Sequence, residues 1–324
     1  MSLSSSSKAQ RVLDIFERLN KGEEISKSEE AEYFQVSKKT IQRDLEEIKL
    51  YIDSLSYKNE LELKYNQSNS AYSFNREESS WLRSREVLAL IKILLESRAF
   101  NRSELDNLLD KLILQSAPNH RDEIKKLINN EEFHYIPPDH NKPLLDIIWD
   151  LSQAIRECRL VSLEYNNLDK INSVKRLVQP LGLMFSEYYF YLIAQFTSGD
   201  GYKIPYRLDR IKNYSIKDER FKIPYTDRFE EGEFRQRVQF MTPGNLLKIK
   251  FRFSGRSIEA VIDRLPTAKI IKEEKDENYI ISAEVYGEGI KMWLLSQAEF
   301  IEVLEPDYFR KEMKETINRM ADKY

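Results

Sequence analysis

Apolar side chains recur at helical spacing in three short blocks near the start of the chain. In the first block they follow one face from Ala9 to Leu19, and Gly22 ends the predicted helix. A second, short helix is predicted from Ser26 to Phe34, because a serine followed three residues later by a glutamate has the spacing of a capping box. Two helices of unequal length therefore open the chain.

A tight turn at residues 35–37 leads to a longer third helix, predicted from Lys38 to about Asp53 with Ser37 as its N-cap. Short helix, tight turn and longer helix is the order of a helix-turn-helix, whose second helix enters the DNA major groove N-terminus first. Arginine suits guanine edges, glutamine suits adenine, threonine suits the thymine methyl group, and lysine mainly serves phosphates. The predicted DNA-binding residues of this helix are Lys38, Lys39, Thr40, Gln42 and Arg43.

Alternating apolar and polar residues at 61–65 and 71–74, around a turn-rich stretch, predict a β-hairpin after the third helix. Such a hairpin is the wing of a winged helix-turn-helix, and Lys64 is expected to contact the phosphate backbone. We therefore predict a DNA-binding domain over residues 8–76. Charge alone does not support it, since residues 1–75 carry eleven Lys+Arg and thirteen Asp+Glu. A helical bundle with solvated charges, or a module for protein contacts, is the alternative.

Three further helical stripes between about residues 80 and 130 predict a helical bridge, assigned to residues 80–135, that connects domains or forms a dimer. Prolines at 137, 138 and 143 predict a linker at 135–143. The histidines in this region have neither companion cysteines nor a metal-binding helical spacing, so we expect no metal site. They are His120, His134 and His140.

A helix from Leu144 to about Cys158 is followed by five short alternating segments, which predict a small antiparallel β-barrel in a domain at 143–223. Residues 232–244 are polar and turn-containing, as in a connector. Residues 245–324 then predict the order β-α-β-β-α-β and a closing helix, which is the ferredoxin-like arrangement.

Composition narrows the function classes. The chain has 324 residues, 41% of them hydrophobic, so two or three domains with real cores are expected. With 51 Lys+Arg against 54 Asp+Glu it is no general nucleic-acid coat, and DNA binding requires a local basic face. A single cysteine, the lack of a signal-peptide pattern and the lack of a membrane-length apolar run favour the cytoplasm, with no membrane partner.

Catalytic constellations are missing from the sequence. It contains no Walker loop, no Ser-His-Asp or Cys-His grouping with useful spacing and no carboxylate pair with an obvious role. We therefore expect no enzyme activity, no catalytic residues and no cofactor.

Three segments of the middle region resemble the signatures of the WYL-domain transcriptional regulators. They are RLVQPLGL at 176–183, FYL at 190–192 and YRLDRI at 206–211, with Phe190 in place of the name-giving tryptophan. The C-terminal region resembles the WCX extension of the same regulators, in which Trp293 is kept and Leu294 replaces the cysteine. The resemblance covers nearly the whole chain.

The resemblance implies a barrel of the Sm/SH3 type that senses an effector, with single-stranded nucleic acid or a nucleotide-like molecule as the ligand class. Arginine forks suit phosphate and aromatic faces suit bases. In the alternative, the aromatic residues belong to the core and Arg210 pairs with Asp209 or another acid. The predicted effector-binding residues are Tyr165, Arg176, Tyr191, Arg207 and Arg210.

Together these patterns predict an α+β multidomain protein with a winged helix-turn-helix, a helical bridge, a small Sm/SH3-like β-barrel and a ferredoxin-like C-terminal domain. The expected function is that of a DNA-binding transcriptional regulator whose operator binding or activity changes with an effector. The expected partners are a double-stranded operator, a nucleotide or single-stranded nucleic-acid effector and a second copy of the chain, with RNA polymerase as a further candidate. A non-catalytic adaptor that uses the winged helix for protein contacts is the alternative.

Overall fold

A computed structural model of the chain describes residues 7–20, 22–54, 61–76, 82–116, 118–166, 173–197, 202–223, 228–242, 244–275 and 278–324. The chain divides into two compact units, Met1–Pro138 and Asp139–Tyr324. Each unit contains helices and antiparallel strands, so the α+β multidomain class is confirmed. Within the described ranges, no helix combines the length and the apolar composition needed to cross a membrane.

The first unit begins with the helices and the hairpin predicted from the sequence, and β1 adds a third strand in the order β1-β3-β2. The Ser37 hydroxyl accepts the backbone N–H of Thr40 at 3.1 Å, as expected for an N-cap. The capping box at Ser26 is wrong: Ser26 makes no side-chain cap, and its backbone instead pairs with Ala71 in the sheet. The elements are α1 (Lys8–Asn20), β1 (Ile25–Ser26), α2 (Lys27–Tyr33), α3 (Lys38–Ser54), β2 (Leu61–Asn66) and β3 (Ala71–Arg76).

One ion pair lies inside the core of these helices and joins α1 to α3. The side chains of Arg11 and Asp44 are 7% and 0% exposed. Arg11 donates from Nε to Asp44 Oδ2 at 2.5 Å and from Nη2 to Oδ1 at 3.2 Å. The hydrogen bonds to Asp44 raise the pKa of Arg11 against the opposing effect of burial. Because a buried charge without its partner is costly, the pair favours one rotation of α3 about its axis.

Three helices complete the first unit, and each contacts the other two. Each buries one apolar stripe, such as Val87, Ile91 and Leu95 of the first. The Tyr135 hydroxyl, which follows the third helix, donates to the backbone carbonyl of Phe100 at 2.6 Å and ties the end of the bundle to its first loop. The helices are α4 (Ser84–Ser97), α5 (Arg102–Leu114) and α6 (Pro118–Phe133).

The second unit begins with a helix packed on a five-stranded antiparallel sheet of order β7-β6-β5-β4-β8. The predicted closed barrel is wrong, since the sheet is open and its edge strands β7 and β8 do not pair within the described residues. Helix α7 covers the apolar face through Leu151 and Ala154, so the sheet buries that face without closing on itself. The short β7 leads through a 3-10 turn at Leu208–Arg210 to the opposite edge. The elements are α7 (Leu145–Arg156), β4 (Arg159–Asn166), β5 (Ser173–Ser186), β6 (Tyr189–Phe196), β7 (Ile204–Arg207) and β8 (Ile211–Arg220).

The connector contains a helix, α8 (Glu231–Arg237), which the sequence pattern did not predict. Its Phe234 is buried with Met184 and Ile193 of the five-stranded sheet. The same ring lies 5.3 Å from the ring of Tyr286 in the next sheet. The connector is therefore part of the core that joins the two sheets.

The last part of the second unit is a four-stranded antiparallel sheet of order β10-β11-β9-β12 with three helices. Strand β9 alternates strictly, and Ile249, Phe251 and Phe253 enter one core with Trp293. The element order follows the prediction, and the ferredoxin-like classification stays a prediction, as does that of the winged helix. The elements are β9 (Leu246–Phe253), α9 (Ile258–Arg264), β10 (Lys269–Glu273), β11 (Tyr279–Tyr286), α10 (Gly287–Ser296), β12 (Ile301–Glu305) and α11 (Asp307–Ala321).

Gly289 allows α10 to approach the connector more closely than any other residue would permit. A Cβ atom at this position would lie 2.0 Å from the backbone oxygen of Gln239 and 3.1 Å from that of Thr242. Both obstacles are backbone atoms, which cannot rotate away. The glycine therefore permits the close contact between α10 and the connector.

We predict that Gly289→Ala lowers the free energy of unfolding of the second unit by more than about 2 kcal/mol, because the new methyl group forces two backbone segments apart. Gly232→Ala is the matched control, since its Cβ meets nothing within 4 Å and alanine favours the helix. Thermal unfolding of both full-length variants checks this. Equal melting temperatures for the two variants would contradict the close approach.

We predict that Arg11→Met costs about 3–5 kcal/mol in the N-terminal helices, because Asp44 is left buried and unpaired. Replacing both residues, as in Arg11→Met with Asp44→Leu, should recover most of that loss. Amide hydrogen exchange of α1 and α3 in the full chain gives the local free energies of opening. A double variant as unstable as Arg11→Met alone would show that the unpaired charge is not the cause.

Candidate functional sites

Two predicted DNA-binding residues form the outward face at the start of α3. Lys39 and Arg43 are exposed and stand four residues apart, so they occupy neighbouring positions on one face of the helix. Neither makes a hydrogen bond or ion pair with any residue in the described part of the chain. Ile41 and Asp44, which flank them in sequence, are buried on the opposite side. Two cationic side chains are thus available to an external partner.

Gln42 is half-buried, and its side-chain amide bonds to residues of its own module. Its Oε1 accepts from the Lys27 ammonium at 3.0 Å and from the Tyr72 hydroxyl at 3.3 Å. Its Nε2 donates to Glu46 Oε1 at 3.0 Å. The predicted adenine reader therefore has bonds to α2, to β3 and to its own helix.

The other predicted DNA-binding residues have local partners. The Lys38 ammonium donates to the Ser28 hydroxyl at 3.1 Å, and the Thr40 hydroxyl lies 2.9 Å from that of Ser37. Lys64 on β2 is exposed and pairs with Glu62 at 3.3 Å. These exposed pairs are weak, so Lys38 and Lys64 keep their capacity to exchange partners for phosphate.

The hairpin is fixed to the helices by its aromatic residues. The Lys27 ammonium lies 5.6 Å from the ring centroid of Tyr65 and 5.4 Å from that of Tyr72. The two rings lie 4.8 Å apart. An ammonium close to two aromatic rings is stabilised by the ring quadrupoles. Lys27, which the sequence did not single out, thus links α2 to both strands of the hairpin.

In the second unit, Tyr191 and Arg207 stand opposite each other on β6 and β7. The Arg207 guanidinium lies flat against Tyr189, with Cζ 3.3 Å from the ring centroid. It donates from Nε and Nη2 to the two carboxylate oxygens of the buried Asp209, at 3.0 and 2.8 Å. Burial lowers the pKa of Arg207, but the bonds to Asp209 outweigh this and the pKa is raised. Arg207 is therefore permanently charged and fixed in orientation.

Arg210 lies near the same face and is half-buried. It makes no hydrogen bond or ion pair within the described ranges, because Asp209 pairs with Arg207 instead. The alternative in which Arg210 pairs with Asp209 is thus wrong for this structure. Burial raises the pKa of Tyr191, and the charges of Arg207 and Arg210 act against that rise. The Tyr191 hydroxyl stays protonated and can donate to an acceptor.

Arg176 and Tyr165 lie on the other face of the sheet. Arg176 stands opposite Leu163, which is buried in the core beneath α7, and its Cζ lies 5.3 Å from the Phe196 ring centroid. The Tyr165 ring meets that of Tyr206 edge to face at 5.0 Å. The Tyr165 hydroxyl accepts the backbone N–H of Arg207 at 3.3 Å.

The structure therefore brings Tyr191, Arg207 and Arg210 together and separates them from Arg176. Strand alternation explains the split, because directly opposed residues share a face. Tyr189 was missed by the sequence interpretation. Its position two residues before Tyr191 places both rings on one side of β6, and that spacing is the signal that identifies it.

A groove follows the line where the β5–β6 turn, the connector and α9 meet. It contains two cavities of about 220 and 420 Å³, and both are lined by Glu187, Phe240 and Arg264. The Arg264 guanidinium lies 5.1 Å from the Phe240 ring centroid. Trp293 borders the larger cavity. Its ring also packs against that of Phe251 in the core of the four-stranded sheet. The residues that the structure describes contain no group of side chains suited to a metal ion.

Comparison with known proteins gave matches to two family models and to solved structures, among them the following two. Proteasome accessory factor B/C (PafBC) of Arthrobacter aurescens is 18% identical with a TM-score of 0.29. The match covers 99% of this chain and 49% of that one, so the chain spans about half the length of PafBC. A structure titled as a CRISPR Cas-related protein is 15% identical with a TM-score of 0.38, and the match covers 76% of this chain and 75% of that one. No curated protein matched the chain.

The family matches coincide with the two sheets of the second unit. Residues 146–216 match the WYL domain. This range contains nearly all of α7 and most of the five-stranded sheet. Residues 245–321 match the WCX domain, which includes the four-stranded sheet and its three helices. The chain therefore contains a WYL domain followed by a WCX domain.

Proposed function

We propose that the chain is a transcriptional regulator that binds a double-stranded operator through α3 and is modulated by an effector at its WYL domain. The observation that carries the DNA-binding part is a pair of exposed cations, Lys39 and Arg43, which lie one helical turn apart at the start of α3 and have no partner among the described residues. A hairpin anchored beside this helix supports the same function. The proposal includes no catalysed reaction.

The charge distribution supports insertion of only the first two turns of α3. Lys38, Lys39 and Arg43 precede the exposed acids Glu46 and Glu47 along the helix. Anions near the DNA phosphates are repelled, so the acidic second half should stay outside the groove. As a two-fold dimer the protein would place two such helices on half-sites about 34–36 Å apart.

The effector part of the proposal places an anionic, nucleotide-like ligand against Tyr191, Arg207 and Arg210. The charge of Arg207 is already neutralised by Asp209. Its contact with the Tyr189 ring holds in place the guanidinium N–H groups that do not bond to Asp209. Arg210 supplies a guanidinium without a partner in the described residues, which can grip a phosphate bidentately. The aromatic rings beside them suit a base.

We predict that the full-length protein retains specific genomic fragments in a gel shift and that Arg43→Ala weakens this binding by about tenfold or more, as for the loss of one bidentate base contact. Lys49→Ala is the matched control, because Lys49 is an exposed cation of α3 beyond the acidic residues. Affinity should also fall steeply with salt. Retention of no specific fragment would favour the adaptor function, in which the module contacts proteins.

We predict that short single-stranded oligonucleotides or nucleotides raise the melting temperature of the full-length protein, and that Arg210→Ala abolishes the shift. Arg176→Ala is the matched control on the opposite face of the sheet and should keep it. Thermal shift against a panel of nucleotides and oligonucleotides measures both. Loss of the shift in Arg176→Ala with its retention in Arg210→Ala would move the ligand to the other face.

A further inference from the structure

We infer that sequence reading by α3 belongs to Lys39 and Arg43 and is directed at guanine, and that Gln42 is a positioning residue that does not contact bases. This inference rests on the proposed function, since it concerns how the same helix chooses its DNA. It departs from the chemistry of the residue types, which alone would assign adenine to Gln42.

Adenine readout uses both ends of a glutamine amide, because the oxygen accepts from N6 and the nitrogen donates to N7. In Gln42 both ends are already engaged. The oxygen accepts from two donors, Lys27 and Tyr72, and the nitrogen donates to Glu46. The oxygen has two acceptor sites and both are taken, so accepting from adenine N6 would displace either the Lys27 ammonium or the Tyr72 hydroxyl.

The bonds of Gln42 join three elements at one point. Lys27 belongs to α2, Tyr72 belongs to β3, and Gln42 belongs to α3. The Lys27 ammonium also lies against the rings of Tyr65 and Tyr72. The amide therefore holds the hairpin at a fixed angle to α3, and that angle decides whether the hairpin and the helix reach the same stretch of DNA.

Lys39 and Arg43 have the chemistry and the spacing for guanine. Both side chains carry donors only, so the base edge that they read must offer acceptors, as guanine does at O6 and N7. Four residues of α-helix advance by about 6 Å, which is close to two base-pair steps of about 3.4 Å. Glu46 then continues the exposed face with a negative charge. The half-site should thus contain two guanine-bearing pairs about two steps apart.

The experiment is selection of binding sites from randomised duplexes by the full-length protein and its variants. The wild type should select guanine at two pairs of each half-site. Lys39→Ala should lose the preference at one pair and Arg43→Ala at the other. Gln42→Ala should lower affinity about tenfold for all selected duplexes while the base preferences stay unchanged.

A second measurement separates positioning from general stability. Affinity for the selected duplex is measured for Gln42→Ala, for Tyr72→Phe and for the double variant, at a temperature where all three are folded by circular dichroism. Because Tyr72→Phe removes a bond that Gln42→Ala also removes, the double variant should lose little more affinity than Gln42→Ala alone. Additive losses, or no loss of affinity in Gln42→Ala, would overturn the positioning role.

The outcomes distinguish failure of this inference from failure of the proposed DNA-binding function. If Gln42→Ala abolishes an adenine preference at one pair and leaves the rest, the inference is wrong while DNA binding stands. The inference is also wrong if Lys39→Ala and Arg43→Ala lose their preference at base pairs where the wild type does not select guanine. If the wild type enriches no duplex at all, the proposed DNA-binding function itself fails.

Discussion

The buried ion pair between Arg11 and Asp44 determines which residues of α3 can meet a partner. A helix packed by apolar side chains alone tolerates small rotations, because dispersion contacts have little directional preference. A bidentate guanidinium–carboxylate pair inside the core has one good geometry, since each charge depends on the other for solvation. With Asp44 directed inward, Arg43 and Lys39 must point outward. The position of the two surface cations thus follows from the ion pair in the core.

The second unit uses ion pairs in a related way. Asp209 neutralises Arg207 and holds its plane against Tyr189, whereas Arg210 has no partner among the described residues. One acid therefore decides the roles of two arginines that are three residues apart. The open sheet contributes as well, because α7 covers its apolar face and leaves the face of Tyr191 to the connector and to solvent.

Much of the fold could be predicted from the sequence because its elements have strong local patterns. Helices α1 and α3, the hairpin and strand β9 follow periodicity alone. Helix α8 was missed because its seven residues, EGEFRQR, contain one apolar side chain, and only Phe234 reveals its packing. The closed barrel was wrong because closure depends on which edges meet, and that is a property of long-range contacts.

The candidate sites were predictable in residue type and less so in role. Lys39 and Arg43 are placed where the helix-turn-helix pattern puts them, whereas Gln42 is turned to internal partners by Lys27, which lies fifteen positions away in the sequence. Arg176 and Arg207 lie on opposite faces of the sheet, and the sequence could not show this because strand alternation cannot be followed from strand to strand without the register. Side-chain chemistry therefore identified the candidates, and only the register and the hydrogen bonds distinguished their roles.

The close approach at Gly289 has a consequence for how such chains can be recombined. Phe234 contacts residues of both sheets, and α10 touches the connector backbone with no room for a methyl group. A foreign WCX domain grafted after residue 244 would need a glycine at the same place and a ring to meet Phe234. The natural unit of exchange is thus the WYL domain, its connector and the WCX domain together, and chimeras cut between them should express poorly.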